Sequence, residues 1–208
     1  MLYFDKTQDG CRIAIWHVTE SVDELLTLLP DEDLVRDEAY ARFHSEGRIL
    51  EWTAVRVLLY DMLDRQVPIL YHDNGAPYLP EYEHLDISIS HTRGYVAVAL
   101  AEHGEVGIDV EQMGAKAERV RHKFIRDDEE ADTQVKLLLH WSAKETAFKI
   151  LNRNNVDFLK HLRVMPFALT ADEGRFQLQE TKTDDEQLLN IDYKVFPDFV
   201  LTYSHITD

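Results

Sequence analysis

Apolar residues recur along this chain at two periods, and the switches between them mark out its elements. Alternation over residues 12–18 predicts a strand. Ser21-Val22-Asp23-Glu24 has capping-box spacing, so a short helix opens there and Pro30 ends it. A second helix is expected over residues 33–44 and a third over 47–65. In the third, Leu50, Val55, Leu58, Leu59 and Leu63 recur at helical spacing and should face a core. Asn74-Gly75-Ala76-Pro77-Tyr78-Leu79-Pro80 reads as a turn-rich loop. Strands are expected over 86–90 and 94–101, with a turn at His103-Gly104, and a third over the apolar run 106–110. After a turn at Gly114, helical pattern covers 115–125 and then 137–151. The remainder holds short apolar runs at 162–169, 176–179, 189–195 and 199–203. Turn signals at Asp172-Glu173-Gly174 and Phe196-Pro197-Asp198 separate them, as in an antiparallel meander. No low-complexity stretch interrupts the chain.

Composition changes this picture mainly by exclusion. A chain of 208 residues, 45% hydrophobic, can bury a proper core as one large domain or two small ones. No apolar run is long enough to cross a membrane. Met1-Leu2-Tyr3-Phe4-Asp5-Lys6 lacks the basic-then-apolar order of a secretory signal. Cys11 is the only cysteine, which excludes an internal disulfide and fits a reducing cytoplasm. The ten histidines are scattered without paired metal-ligand spacing, which argues against zinc. A net charge of −17 argues against nucleic acid, whose phosphates demand a broad basic surface.

Candidate chemistry concentrates between residues 87 and 149, in three short pieces: Ile87-Ser88-Ile89-Ser90-His91-Thr92, Gly107-Ile108-Asp109-Val110-Glu111, and Trp141-Ser142-Ala143-Lys144-Glu145-Thr146-Ala147-Phe148-Lys149. Residues two apart on a strand share a face, so Asp109 and Glu111 project together while Ile108 and Val110 point inward. Two carboxylates on one face repel unless a cation or a proton lies between them. Glu145 and Lys149, four apart, share one side of a helix. If that helix packs near the strand, Glu145 completes an all-oxygen, three-carboxylate site of the kind that suits magnesium. Each piece also has a plainer reading. Asp109 and Glu111 could be the solvated face of an edge strand, Ser142 and Glu145 a helix cap, and Glu145 and Lys149 a surface ion pair.

The three pieces together resemble the 4′-phosphopantetheinyl transferases, in particular the surfactin-type branch with two fused halves. Gly107 to Glu111 is similar to the family's G-[IV]-D-[VI]-E motif, Trp141 to Lys149 to W-[ST]-x-K-E-[AST]-x-x-K, and Ile89-Ser90-His91-Thr92 to I-S-H-[ST]. The resemblance is clear over residues 42–149. It implies an α+β fold with a pseudo-twofold, two similar halves (1–104 and 105–208) each packing helices on a small antiparallel sheet. Leu50-Glu51-Trp52-Thr53-Ala54 and Leu139-His140-Trp141-Ser142-Ala143 share Leu-x-Trp-[Ser/Thr]-Ala, an internal echo of such halves.

The reaction implied is transfer of phosphopantetheine from coenzyme A to a serine of an acyl or peptidyl carrier protein, with release of adenosine 3′,5′-bisphosphate. Asp109, Glu111 and Glu145 would hold magnesium. Arg48, Arg56, Pro77, Ser90, His91, Lys144 and Lys149 would contact coenzyme A, the arginines and His91 at its phosphates. Glu129, beside Glu130 in a segment similar to F-x-x-x-x-E, is expected to take the serine proton, with Glu145 as the other candidate and Lys149 as a cation on the pyrophosphate. Ala76 stands where the family's loop carries lysine, removing one cation from the coenzyme pocket. Carrier proteins are acidic, so the cluster Arg119-Val120-Arg121-His122-Lys123, with Arg126, is the expected docking edge. The fused halves imply a monomer. Two other classes use the same residues: a different magnesium-dependent phosphoryl-group enzyme, and a non-catalytic coenzyme A-binding relative.

Overall fold

Asp9 and Gly10 both take positive φ, 51° and 75°, the conformation of a two-residue hairpin turn. They fold β1 (Leu2–Gln8) back on β2 (Cys11–His17), pairing Gln8 with Cys11. Hydropathy does not single out β1, because its side chains are mostly exposed and show no alternation; the Asp-Gly pair is the signal that marks it. The computed structural model describes residues 1–152, 155–184 and 186–207.

Ser21 caps α1 (Val22–Leu26) as expected: its hydroxyl accepts from Glu24 N, and the Glu24 carboxylate accepts from Ser21 N at 2.7 Å. Next come α2 (Glu32–Arg42) and α3 (Glu46–Leu63), which stops on Asp64 in the left-handed conformation. α3 departs from the expected stripe. Ile49, Trp52, Val57 and Met62 join Val55, Leu58 and Leu59 in the core, while Leu50 and Leu63 are only half-buried. The helix packs on a sheet on one side and on α1 and α2 on another, so a single apolar stripe does not describe it. A small hairpin, β3 (Leu70–Tyr71) and β4 (Pro77–Tyr78), frames the 74–76 loop. β5 (Asp86–Thr92) and β6 (Tyr95–Ala101) complete a four-stranded antiparallel sheet in the order β1-β2-β6-β5.

The second sheet draws on the rest of the chain: β7 (Glu105–Gln112), α4 (Lys116–Val120), α5 (Gln134–Leu151), α6 (Phe158–His161), β8 (Leu162–Val164), β9 (Glu173–Glu180), β10 (Leu188–Val195) and β11 (Phe199–Ile206). Its order is β7-β11-β10-β9-β8, so the meander is as expected, with β7 added at the β11 edge. Two boundaries differ. The run 162–169 is strand only to Val164, after which Phe167 and Leu169 pack as half-buried side chains from irregular backbone. Glu173 and Gly174 are not a turn but the start of β9, paired with Lys194 and Tyr193. The helix expected over 115–125 is the single turn α4 followed by a 3-10 turn, Arg121–Lys123.

The α+β expectation holds: α3 lies on the first sheet and α5 on the second. A third apolar cluster joins the two sheets, with Ile13, Ile15, Ala97 and Ala99 meeting Val106, Ile108, Val110, Phe199 and Leu201. Burying each such aliphatic or aromatic side chain is worth about 1.5–3 kcal/mol, so the sheets are held face to face without a linker. Gly107 lets α5 close on β7, because a Cβ there would come within 2.5 Å of the Thr146 carbonyl oxygen. A second device joins the sheets at their edges. β5 and β7 share no backbone ladder, yet Asp86 Oδ2, Ser88 Oγ and Ser90 Oγ accept from the N–H groups of Val106, Ile108 and Val110 at 2.7, 3.1 and 3.2 Å. Alternate side chains of one edge strand thus satisfy alternate donors of the other, which would otherwise be buried without partners.

Candidate active site

β7 alternates as its sequence predicts: Ile108 and Val110 enter the inter-sheet cluster, and Asp109 and Glu111 share the opposite face. That face is not solvated, because Asp109 is only 5% exposed. α5 runs over it, held at its start by Thr133, whose side chain accepts from Lys136 N, and stopped at Asn152 in the left-handed conformation. Ser142 lies in the interior of α5 with its hydroxyl against Thr202, so it caps nothing. Lys149 donates to the Ile108 carbonyl at 2.7 Å and to Asp109 Oδ1 at 3.1 Å, so the lysine of the third motif meets the aspartate of the second.

Glu111 accepts from the indole N–H of Trp141 at 2.7 Å, and that ring is wedged against Phe124 and Phe158. Burial, then the charge of Asp109, pushes the Glu111 carboxyl up, against the opposing pull of the indole donor. Glu145 is pushed up to about 7, first by burial and then by Asp109, with Lys149 opposing and Glu111 adding. The three carboxylates therefore lie within each other's field, but among the described residues no group of three or more His, Cys, Asp or Glu side chains is placed to hold a metal ion as it stands. Asp109 Oδ2 is buried with no hydrogen-bond partner.

Beside this cluster is a cavity of about 330 Å³, lined among others by Ala76, Pro77, Ile89, Glu145, Phe148 and Lys149. Its rim is tied across the two sheets by Asn74, whose side-chain amide donates to the Asn152 side chain. A second cavity of about 210 Å³ adjoins it at Ile89 and is lined by Arg42, Arg48, Trp52, Arg56, Tyr71 and His91. Arg56 is 7% exposed, lies 3.1 Å over the Trp52 ring and donates to the Trp52 carbonyl. Burial lowers its pKa to about 10, with Tyr71 and Glu38 opposing and Arg42 adding, so it remains a cation at neutral pH. The Trp52 indole N–H in the same wall is buried and unpartnered. Arg48 lies 3.2 Å from His91 Nε2 and 3.7 Å from Glu51, and Glu51 is 3.4 Å from His91 Nδ1. Burial lowers the His91 pKa, with Glu51 opposing and Arg48 and Lys149 adding.

Three expected site residues sit elsewhere. Glu129 and Lys144 form an ion pair at 2.8 Å with both side chains 0% exposed. Glu129 also accepts from Arg126 N and Val164 N, and Lys144 also donates to the Phe124 and Phe158 carbonyls. Both Glu129 oxygens thus accept hydrogen bonds within a sealed core pair, and the Lys144 ammonium is turned into that core rather than toward the Asp109 cluster. Consecutive residues of a strand face opposite ways, so while His91 and Ile89 line the arginine cavity, Ser90 is 6% exposed and turned onto β7 rather than toward a ligand. In the basic cluster, Arg126 is used up internally, on Asp128 and the Leu159 carbonyl. Arg119, His122 and Lys123 are exposed and Arg121 half-exposed.

Sequence reasoning missed Arg42 and Trp52 in the cavity wall and Trp141 as the partner of Glu111. Trp52 and Arg56 are four apart on α3, a spacing that puts ring and guanidinium on one face. Arg42 had no such signal, since only the α2–α3 packing brings it there.

Residues 105–204, spanning β7 to β11, match the family model described as the 4′-phosphopantetheinyl transferase superfamily. A protein of Synechocystis sp., provisionally named a 4′-phosphopantetheinyl transferase, is 29% identical over 138 residues, 59% of this chain and 56% of the relative. The chain thus spans a little over half the length of that relative. Both findings support placing it in this superfamily.

Proposed function

We propose that the protein transfers the 4′-phosphopantetheine group from coenzyme A to a serine of an acyl or peptidyl carrier protein, releasing adenosine 3′,5′-bisphosphate. The observation that carries this reading is the juxtaposition, across Ile89, of an arginine-lined cavity with a cavity that opens on Glu145 and Lys149 of the carboxylate cluster. A polyanion with a terminal phosphate at one end and a pyrophosphate at the other fits that arrangement of charge.

Arg56 and Arg48, with His91, hold the 3′-phosphate; a planar guanidinium pinned on an indole presents its donors in a fixed fork. Ala76 leaves the loop side of the larger cavity without the lysine common in the family, so more of the phosphate affinity rests on α3. By donor chemistry, though not as its side chains now stand, the set Asp109, Glu111 and Glu145 suits a hard divalent cation such as magnesium. It offers only oxygens, one of them buried without a partner, and two carboxyls that burial and mutual repulsion push up. When bound, the ion would neutralise charge on the pyrophosphate. Lys149 uses two of its three donors on Ile108 and Asp109, leaving one for a phosphate oxygen. The serine oxygen bonds to the β-phosphorus, the bond from that phosphorus to the bridging oxygen breaks, and the nucleotide bisphosphate departs with the electron pair. With Glu129 sealed in the core, Glu145 is the carboxylate that takes the serine proton; a tight ligand cannot also act as the base, so the ion would then rest mainly on Asp109 and Glu111.

The exposed Arg119, His122 and Lys123, with the half-exposed Arg121, are the docking edge for an acidic carrier on a chain whose net charge is −17. The two helix-on-sheet units are related halves of a cytoplasmic monomer in this reading. The test is the intact mass of a purified acyl carrier protein after incubation with this protein, coenzyme A and magnesium. A gain of one phosphopantetheine that Asp109→Ala abolishes is expected. No gain on several carrier types, with coenzyme A still bound, would overturn the transferase in favour of a binding protein.

A further inference from the structure

Ser90 carries two hydrogen bonds whose directions are fixed by chemistry. The Val110 N–H can only donate, so Ser90 Oγ accepts there at 3.2 Å and its own proton is free to go elsewhere. It goes to Asp109 Oδ1 at 3.0 Å, the oxygen that also receives Lys149 at 3.1 Å. One oxygen of Asp109 is therefore saturated by two donors, while the other, Oδ2, is buried with none. A buried carboxylate oxygen without a partner is costly unless a ligand completes it. The asymmetry is built by the seam between the sheets. Ser88, two residues earlier, makes the same bond to Ile108 N at 3.1 Å but has no link to Asp109.

We infer that Ser90 is a positioning residue, which fixes the rotation of the Asp109 carboxylate so that Oδ2 alone is presented to a divalent cation. This rests on the function proposed above. Ser90 does not touch substrate; it acts through Asp109, sharing Oδ1 with Lys149 so that neither the lysine nor a turn of the carboxylate can draw Oδ2 away. Loss of an outer-sphere partner of this kind commonly costs about 10–100-fold in metal affinity.

The experiment titrates Mn²⁺ into the purified protein and follows free Mn²⁺ by electron paramagnetic resonance, with thermal unfolding measured on every variant. Ser90→Ala is expected to bind Mn²⁺ at least about tenfold more weakly. Ser90→Thr, which keeps the hydroxyl, should recover most of that loss. Ser88→Ala removes the equivalent staple and should lower the melting temperature by a similar amount while leaving Mn²⁺ affinity unchanged. Equal Mn²⁺ affinity in Ser90→Ala and wild type would overturn the inference, as would equal weakening in Ser88→Ala, which would reduce Ser90 to a staple. Wild-type protein that binds no Mn²⁺ would overturn the proposed metal site itself, and this inference with it.

Discussion

Glu129→Gln removes the anion on which Lys144 depends, in a place where neither side chain has any solvent exposure. The glutamine can still accept from Val164 N or Arg126 N, and Lys144 keeps the Phe124 and Phe158 carbonyls, so the ammonium is not stranded entirely. What it loses is its ion-pair partner, with only the more distant Asp128 charge left among the described residues. Burial, and then the charge of Arg126, lower the Lys144 pKa, and Glu129 is the first force opposing that fall. Breaking a buried pair by removing one partner costs about 3–5 kcal/mol. The retained carbonyls place this case at about 3 kcal/mol, or a fall in melting temperature of roughly 6–12 °C for a chain of this size. Thermal unfolding by circular dichroism and urea titration would measure it. The double variant Glu129→Leu/Lys144→Met should not recover the loss, since it leaves the Arg126 and Val164 N–H groups and the Phe124 and Phe158 carbonyls without these partners. Turnover per folded molecule of Glu129→Gln, measured well below its melting temperature, should stay within about threefold of wild type, because a catalytic base would contribute about 10²–10⁴-fold. A variant of wild-type stability with turnover reduced by that larger factor would refute the structural assignment and restore Glu129 to the chemistry.

Arg56→Ala should weaken coenzyme A binding by about 10–100-fold, as expected for a lost charged hydrogen bond of about 1.5–3 kcal/mol, and should leave 3′-dephospho-coenzyme A almost unaffected. Equal losses for both ligands in calorimetry would remove the 3′-phosphate from the α3 cavity. Cys11 is held up to about 12, mainly by burial, so its thiol stays protonated at pH 8, where an ordinary thiol is partly ionised. Alkylation by iodoacetamide should therefore run roughly 10³-fold slower in the native protein than in urea. Comparable native and unfolded rates would contradict that burial. Gly107→Ala places a methyl group within 2.5 Å of the Thr146 carbonyl and 2.7 Å of Ile150 Cγ1. It should cost about 1–3 kcal/mol in urea unfolding through overpacking of α5 on β7, and an unchanged midpoint would show that the helix can retreat freely.

Local rules made much of this molecule legible before any tertiary contact was known. Periodicity placed α3, α5 and the strands of both sheets apart from β1, Ser21 and Glu24 announced a capped helix, and the period of two put Asp109 and Glu111 on one face of β7. Those features depend on neighbours a few residues away, and sequence order preserves such neighbourhoods. What the sequence could not decide is which side chain answers which across the packed sheets. Lys144 and Lys149 occupy one helix five residues apart, yet one is sealed against Glu129 and the other opens onto Asp109. Five residues turn an α-helix by about 500°, so the two lysines face different surroundings, and only the seating of α5 on β7 decides which faces the cluster. Ser90 and His91 are adjacent and point oppositely for the same geometric reason, one into the seam and one into the arginine cavity. The residue types and their local order were determined by the sequence alone. The division of those residues into ligands, props and sealed core was determined by packing, because burial and the identity of the opposing group decide what a charged side chain can do.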